Sequence, residues 1–338
     1  MMEQLPVGWF FGAPIYGYSI FLCLSIIAGL GLTLLCQRKR DLPKDTALRY
    51  GLWAIPLAVT GARLFYCLVR LDYVFFEQEW SFVFSLWKGG FGLYGALLGC
   101  LLAAIAFSKS VKAKVGDVLD CIAPGAALVI AGSRFAESMT TQGIGRLVEA
   151  EALQRFPFAV QNVYGDWVMP VFFYEGIAAL VICFIVYGCL KRKTEKPGNT
   201  ALLFLLLFGA SQVLLESMRE DDFLRWGFVK VSQLMSMGLV VTVAVIFGVR
   251  AMAQKKRRPL VAAGFFVLAA GAGSCVLIEF ALDKSPVPNQ YLYVAMIAVL
   301  CLMAGIVLAF WKAGREMPVK AVREPDQHPL RTVGKDHP

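Results

Sequence analysis

The chain has 338 residues, of which 58% are hydrophobic and 17% charged, and a net charge of +9. That is too apolar for a soluble domain of this length. The positive charge gathers in recurring short clusters between apolar stretches, so it calls for no nucleic-acid partner.

Apolar stretches recur at 15–36, 50–69, 89–107, 118–136, 168–190, 199–218, 232–253, 260–282 and 290–311. Each is close to the ~20 residues that a helix needs to cross the hydrocarbon of a bilayer. The expectation is an all-α polytopic membrane protein with about nine transmembrane helices. The first stretch is read as a span and not as a cleavable signal, because residues 1–12 carry Glu3 and no Lys or Arg.

Basic residues follow every second span: Arg38, Lys39, Arg40 and Lys44 after the first, and Lys109, Lys112 and Lys114 after the third. Lys191, Arg192, Lys193 and Lys196 follow the fifth, Lys255, Lys256, Arg257 and Arg258 the seventh, and the tail after the ninth is basic again. The intervening connections are mixed or acidic, as in Arg219-Glu220-Asp221-Asp222. The positive-inside rule then puts the N-terminus outside and the C-terminus in the cytoplasm.

Three regions are expected. Residues 1–253 form a seven-helix membrane domain, and the connection 137–167 is long enough to cap a site. Residues 254–311 form a transmembrane hairpin that uses Gly271, Ala272 and Gly273 for close contact. Residues 312–338 form a disordered basic cytoplasmic tail.

Cysteine and histidine narrow the chemistry. All nine Cys lie within or at the ends of apolar stretches and none forms a C-x-x-C pair, so neither a disulfide framework nor a zinc site is indicated. The only His residues are His328 and His337, both in the tail. A general base within the membrane body must therefore be a carboxylate, a Tyr, a Lys or a bound water.

Polar residues inside or beside spans are the candidates for function. Arg134 closes the apolar run 122–133 and opens a polar stretch that holds Glu137, Gln142, Gly145 and Arg146. A guanidinium costs roughly 2.5–3.5 kcal/mol at the bilayer centre and less near the interface, so it calls for an anion, and lipid phosphate is the anion this solvent offers. The glycine-rich segment 87–99 allows close backbone approach or broken helical geometry; Tyr94 within it either points into a cleft or belongs to an interfacial belt. Glu175, about one turn after Pro170, is a costly buried acid whose favoured reading is a structural ion pair, with Arg63 of the second span as a partner. Gln212, Glu216 and Arg219, at spacings of four and three, share one helix face. Glu216 and Arg219 either pair along the helix or line a polar cleft, where Arg219 and Arg134 would suit bidentate phosphate recognition.

From residue 14 to 237 these segments resemble the prolipoprotein diacylglyceryl transferases of bacterial plasma membranes. Pro14-Ile15-Tyr16-Gly17-Tyr18 looks like the family's opening aromatic motif, and Gly61-Ala62-Arg63-Leu64 like its second-span motif. Segment 89–99 looks like the H-G-G-L-type motif, and 132–146 like the signature that runs from G-R-x-G-N to G-R. Pro170 with Tyr174-Glu175, and Glu216 to Asp221 followed by Gln233 and Ser236, look like the two later motifs. Tyr18, Arg134, Gly145, Arg146, Glu175, Glu216 and Arg219 match residue by residue. Tyr94 and Met169 stand where the family has His, Glu137 where it has Asn, Gln142 where it has Glu, and Phe208 and Gln212 where it has Tyr and Arg. The last two spans exceed the family's seven.

The resemblance implies transfer of a diacylglyceryl group from phosphatidylglycerol to the lipobox cysteine thiol of a prolipoprotein signal peptide, with glycerol 1-phosphate leaving and no metal or organic cofactor. Arg134, Glu137 and Tyr94 are the expected catalytic residues, with Glu137 acting where the family uses other groups. Tyr18, Gly145, Arg146, Glu216, Arg219, Gln212 and Gln142 are then substrate-binding. An unperturbed Tyr, with a pKa of about 10, is a weak base at neutral pH, so the base is placed on Glu137. The enzymology requires Arg134 to face an opening to lipid. The alternative is a catalytically impaired paralogue acting as a phospholipid-binding membrane protein. A solute transporter fits less well, since no internal repeat is visible and the polar groups gather at one membrane edge.

Overall fold

Hydrocarbon offers no water to backbone N–H and C=O groups, so a crossing chain must satisfy them locally, and helices do so. The computed structural model describes residues 7–10, 13–40, 42–78, 80–190, 196–220, 225–226, 229–254 and 257–315. Among the described residues nine helices are long and apolar enough to cross a membrane. They are α1 (Gly17–Gln37), α2 (Thr46–Val69), α3 (Leu93–Ser110), α4 (Val115–Ala136) and α5 (Val171–Leu190). After these come α6 (Asn199–Met218), α7 (Val231–Met252), α8 (Arg258–Lys284) and α9 (Asn289–Arg315). The protein is an all-α polytopic membrane protein, as the apolar spacing leads one to expect. The expected disorder of the tail concerns residues that, from 316 onward, lie outside the described ones, as do the loop charges Lys191, Arg192, Lys193, Lys255 and Lys256.

Three expected boundaries shift by four residues: α2 begins at Thr46 instead of 50, α9 runs to Arg315 instead of 311, and α3 begins late. The span read from 89 begins as a helix only at Leu93, because Gly89 and Gly90 take left-handed φ of 73° and 79°. Arg63 of α2, nearly fully buried, explains that geometry. Its guanidinium donates to the carbonyls of Phe82 and Gly89, and at 3.3, 3.1 and 3.1 Å to those of Val83, Ser85 and Gly90. A helix starting at 89 would turn those carbonyls away from the charge. Arg63 is thus matched by backbone oxygens, and the expected pairing with Glu175 is replaced by this cage.

α1 packs on α4 and α2 on α3, and α4, α5 and α6 stack beside them. Ala127, Ile182, Val186 and Phe208 fill the α4–α5–α6 interior. The hairpin α8–α9 lies against α6 and α7, where Leu206, Val243, Phe247, Met303 and Phe310 form a buried cluster. A Cβ at Gly271 would sit 2.9 Å from the Met303 side chain of α9, so this glycine serves contact between the two helices of the hairpin; at Gly273 nothing lies within 4 Å.

One end of the bundle is tied by Asp120, a fully buried acid of α4. It accepts from Arg40 at 2.7 Å and from the backbone N–H groups of Gly198 and Ala201 at 2.9 and 2.8 Å. The first amides of α6 have no intrahelical acceptor, so an acid from a neighbouring helix caps them. Removing one member of a buried ion pair costs about 3–5 kcal/mol. Asp120→Ala is therefore expected to lower the thermal unfolding midpoint in detergent markedly. Asp117→Ala, whose half-buried carboxylate lies 3.6 Å from Arg40, is expected to lower it far less.

Candidate functional site

At the other end of the bundle α4, α5 and α6 bring four charged side chains together. Arg134 occupies the last turn of α4, and Glu137 opens the tight turn Glu137–Met139 that follows. Pro170 precedes α5, whose first residues carry Glu175 inward. Arg219 follows Met218 with extended backbone (φ −75°, ψ 140°), so its side chain leaves the α6 face and turns toward α5. Glu175 is fully buried, and its Oε2 lies 3.1 Å from Arg134 Nε while accepting from Arg219 Nη1 at 3.0 Å. Glu137 Oε1 accepts from Arg134 Nη1 at 2.5 Å, and its Oε2 lies 3.6 Å from Arg219 Nη1. Two guanidiniums in low dielectric repel each other strongly, and the carboxylates between them make the arrangement tenable. Glu175, read as a structural acid, is the hub; its position in the first turns of an apolar helix was the signal.

The loop after Glu137 straps the cluster. Gly143 has a left-handed φ of 72°, and a Cβ there would sit 2.5 Å from Glu137 Oε2 and 2.7 Å from the Cβ of Phe172. Its carbonyl accepts from the Phe172 amide at 2.7 Å, the Gly145 amide donates to Met169 at 2.8 Å, and the Glu220 amide donates to Ile144 at 3.1 Å. Gly145 and Arg219 form an antiparallel bridge. The strap thus joins the start of α5 to the end of α6.

Below the cluster a cavity of about 400 Å3 runs between the α1–α4 and α2–α3 pairs. Seven of the ten predicted site residues line it: Tyr18, Tyr94, Arg134, Glu137, Gln142, Glu216 and Arg219. Its deeper wall is apolar, with Leu22, Ile26, Ala58 and Ile122, and it reaches Tyr50 and Cys100. Ile55, Val59 and Phe91, also on the wall, are exposed on the lipid-facing surface. Arg134 is therefore buried against protein carboxylates and still fronts an opening. Its Nη1 and Nε are committed to Glu137 and Glu175.

Tyr94 settles into the cleft. Ser236 donates to the Ser232 carbonyl at 2.7 Å, so the short hydrogen bond between Tyr94 and Ser236 has the phenol as donor. Three predicted residues stand behind the wall. Gln212 is buried with no hydrogen bond to its Oε1 among the described residues, and Gly145 acts through its backbone. Arg146 pairs outward, 3.4 Å from Glu220 and 3.9 Å from Asp283. Residue types alone did not point to Lys230, whose ammonium donates to the carbonyls of Glu216 and Arg219 at 2.8 Å each.

Comparison with known proteins gives the site its context. The family model described as prolipoprotein diacylglyceryl transferase matches residues 6–249. A phosphatidylglycerol–prolipoprotein diacylglyceryl transferase of Lactococcus lactis is 31% identical over 244 residues, covering 70% of this chain and 91% of that protein. The proteins of that name from Streptococcus mutans and Listeria welshimeri are 30% and 28% identical, covering 69% and 71% of this chain and 90% and 84% of their own length. The chain belongs to the prolipoprotein diacylglyceryl transferase family.

Proposed function

We propose that this protein transfers the diacylglyceryl group of phosphatidylglycerol to the lipobox cysteine of prolipoproteins in the bacterial plasma membrane. The observation that carries this is the pair of guanidiniums, Arg134 and Arg219, held by Glu137 and Glu175 at the head of an apolar-walled cavity with a lipid-facing rim. Acyl chains fit the apolar depth and the phosphate fits the charged head. The N-terminus lies outside and the C-terminus in the cytoplasm, by the charge alternation of the loops. Residues 1–253 form the transferase body and residues 254–311 a hairpin attached to it.

In the reaction the cysteine sulfur attacks the glyceryl carbon that carries the phosphate ester. A C–S bond forms, the C–O bond breaks, and glycerol 1-phosphate leaves with the bonding electrons. Arg134 and Arg219 face the charge that develops on the leaving phosphate, where fixed donors contribute most. Glu137 takes the thiol proton. Its Oε1 is tied to Arg134, while its Oε2 accepts no hydrogen bond among the described residues. Tyr94, anchored on Ser236, orients the glyceryl oxygens from the far wall, and Tyr18, Gln142 and Glu216 meet the headgroup glycerol. Gly145, Arg146 and Gln212 hold this wall from behind.

A reconstituted assay with phosphatidylglycerol vesicles and a lipobox peptide tests the reading. Thioether-linked diacylglyceryl peptide supports it; lipid binding without transfer replaces it with a phospholipid-binding protein. Glu137→Gln is expected to abolish transfer, with phosphatidylglycerol affinity changed less than about twofold, since the amide keeps an acceptor for Arg134 but takes no proton. Arg219→Lys loses the planar fork, and its kcat/KM is expected to fall about 10²–10³-fold, the usual loss on removing one transition-state donor.

A further inference from the structure

We propose that Glu279, in the C-terminal hairpin, is a positioning residue for the transfer reaction. It acts through Lys230 and Gln233 on the end of α6 that presents Glu216 and Arg219 to the cavity. The proposal rests on the function above and extends it to a part of the chain outside the family match, which ends at residue 249, whereas α8 begins at Arg258.

The last carbonyls of a helix have no intrahelical donor. Lys230, just before α7, donates at 2.8 Å to the Glu216 carbonyl, which also accepts from the Arg219 amide at 3.3 Å. It donates at 2.8 Å as well to the Arg219 carbonyl just past the helix, so it grips the backbone on either side of the point where α6 ends. Its ammonium also lies 3.8 Å from Glu279 Oε1. The other oxygen of the same carboxylate accepts from Gln233 Nε2 at 3.0 Å, and that amide also donates to the Val213 carbonyl of α6 at 3.2 Å. One acid of α8 therefore steadies two side chains that both hold α6. Four residues on, and so on the same helix face, Asp283 lies 3.9 Å from Arg146, next to the Gly145 that bridges to Arg219.

The support behind Glu279 is firm. Cys275 and Leu282 on α8, Tyr293 and Met296 on α9, and Val213 on α6 form one buried cluster. The hairpin thus presents a carboxylate at fixed distance from the α6 terminus. Arg219 leaves that terminus with extended backbone and reaches Glu175 across the helix interface, so displacement at 216–219 is carried directly to the guanidinium. A misplacement of about 1 Å at a reacting centre can cost on the order of 10²-fold in rate.

The test uses the full chain reconstituted in phosphatidylglycerol-containing nanodiscs, with Glu279→Ala, Glu279→Gln, Lys230→Ala and the Glu279→Ala/Lys230→Ala pair. Two readouts are taken at a temperature where every variant stays folded: steady-state transfer, and amide hydrogen exchange over residues 216–220. Glu279→Ala is expected to lower kcat about tenfold with KM for phosphatidylglycerol within about twofold, and to speed exchange at 216–220 but not at 198–201. Glu279→Gln, which keeps an acceptor for Gln233, is expected to recover part of the loss. The double variant is expected to be no slower than the slower single one, because both act through one linkage. Unchanged exchange and unchanged kcat in Glu279→Ala, or additive losses in the pair, would overturn the proposal. If the unsubstituted protein transfers nothing, the transferase reading fails, and the exchange comparison alone then decides whether Glu279 holds the α6 end.

Discussion

The carboxylate of Glu175 stands between two guanidiniums that would otherwise drive their helices apart. At an effective dielectric near 20, like unit charges about 4 Å apart repel by on the order of 4 kcal/mol. Oε2 of Glu175 meets both Arg134, at the end of α4, and Arg219, at the end of α6. Three helix ends are thereby fixed around one oxygen. Glu137 adds a second acid on the same pair, and the strap through Gly143 and Gly145 closes over it. Because the acids neutralise the arginines before any lipid arrives, the head of the cavity exists without ligand. On the proposed function, the donors would already be aimed, with little reorganisation left for the moment of reaction.

The nine spans were legible because hydrocarbon imposes one length and one solution to backbone hydrogen bonding. The alternation of basic loops also placed Arg134 and Arg219 at the same end of the bundle, since the fourth and sixth spans run in one direction. What the sequence does not carry is azimuth, the direction each helix face takes around the bundle. Glu175 was matched with Arg63 for this reason. Both sit within spans, but Arg63 faces the loop that precedes α3 and is satisfied by five carbonyls, which no residue type reveals. The late start of α3 has the same origin, because an apolar glycine-rich run reads as helix until the cation that holds its carbonyls is seen. Tyr94 stayed ambiguous because its anchor, Ser236, comes 142 residues later.

α6 is held by its neighbours at both termini. Asp120 of α4 takes amides at its beginning, and Lys230, ahead of α7, takes carbonyls at its end. At the opposite end Arg134 of α4 and Arg219 at the end of α6 share Glu175 of α5, so α4 and α6 are tied directly at one depth and through α5 at the other. Between these ends the contact is apolar and close, with Ala127, Ile130 and Phe208 buried. This pair forms the rigid side of the site.

The cavity lies on the other side, where α1 and α2 face each other across it and Ile55 and Val59 are exposed. Apolar side chains facing lipid lose little when they separate to admit an acyl chain, because lipid and protein tails are equally apolar. Charged groups that must stay within hydrogen-bond reach tolerate no such motion. On the proposed function, a lipid entering sideways from the bilayer would meet yielding walls at α1 and α2 and an unyielding head at α4 and α6. The division follows from where the sequence puts its charges: arginines and acids at the ends of α4, α5 and α6, and aliphatic residues along α1 and α2.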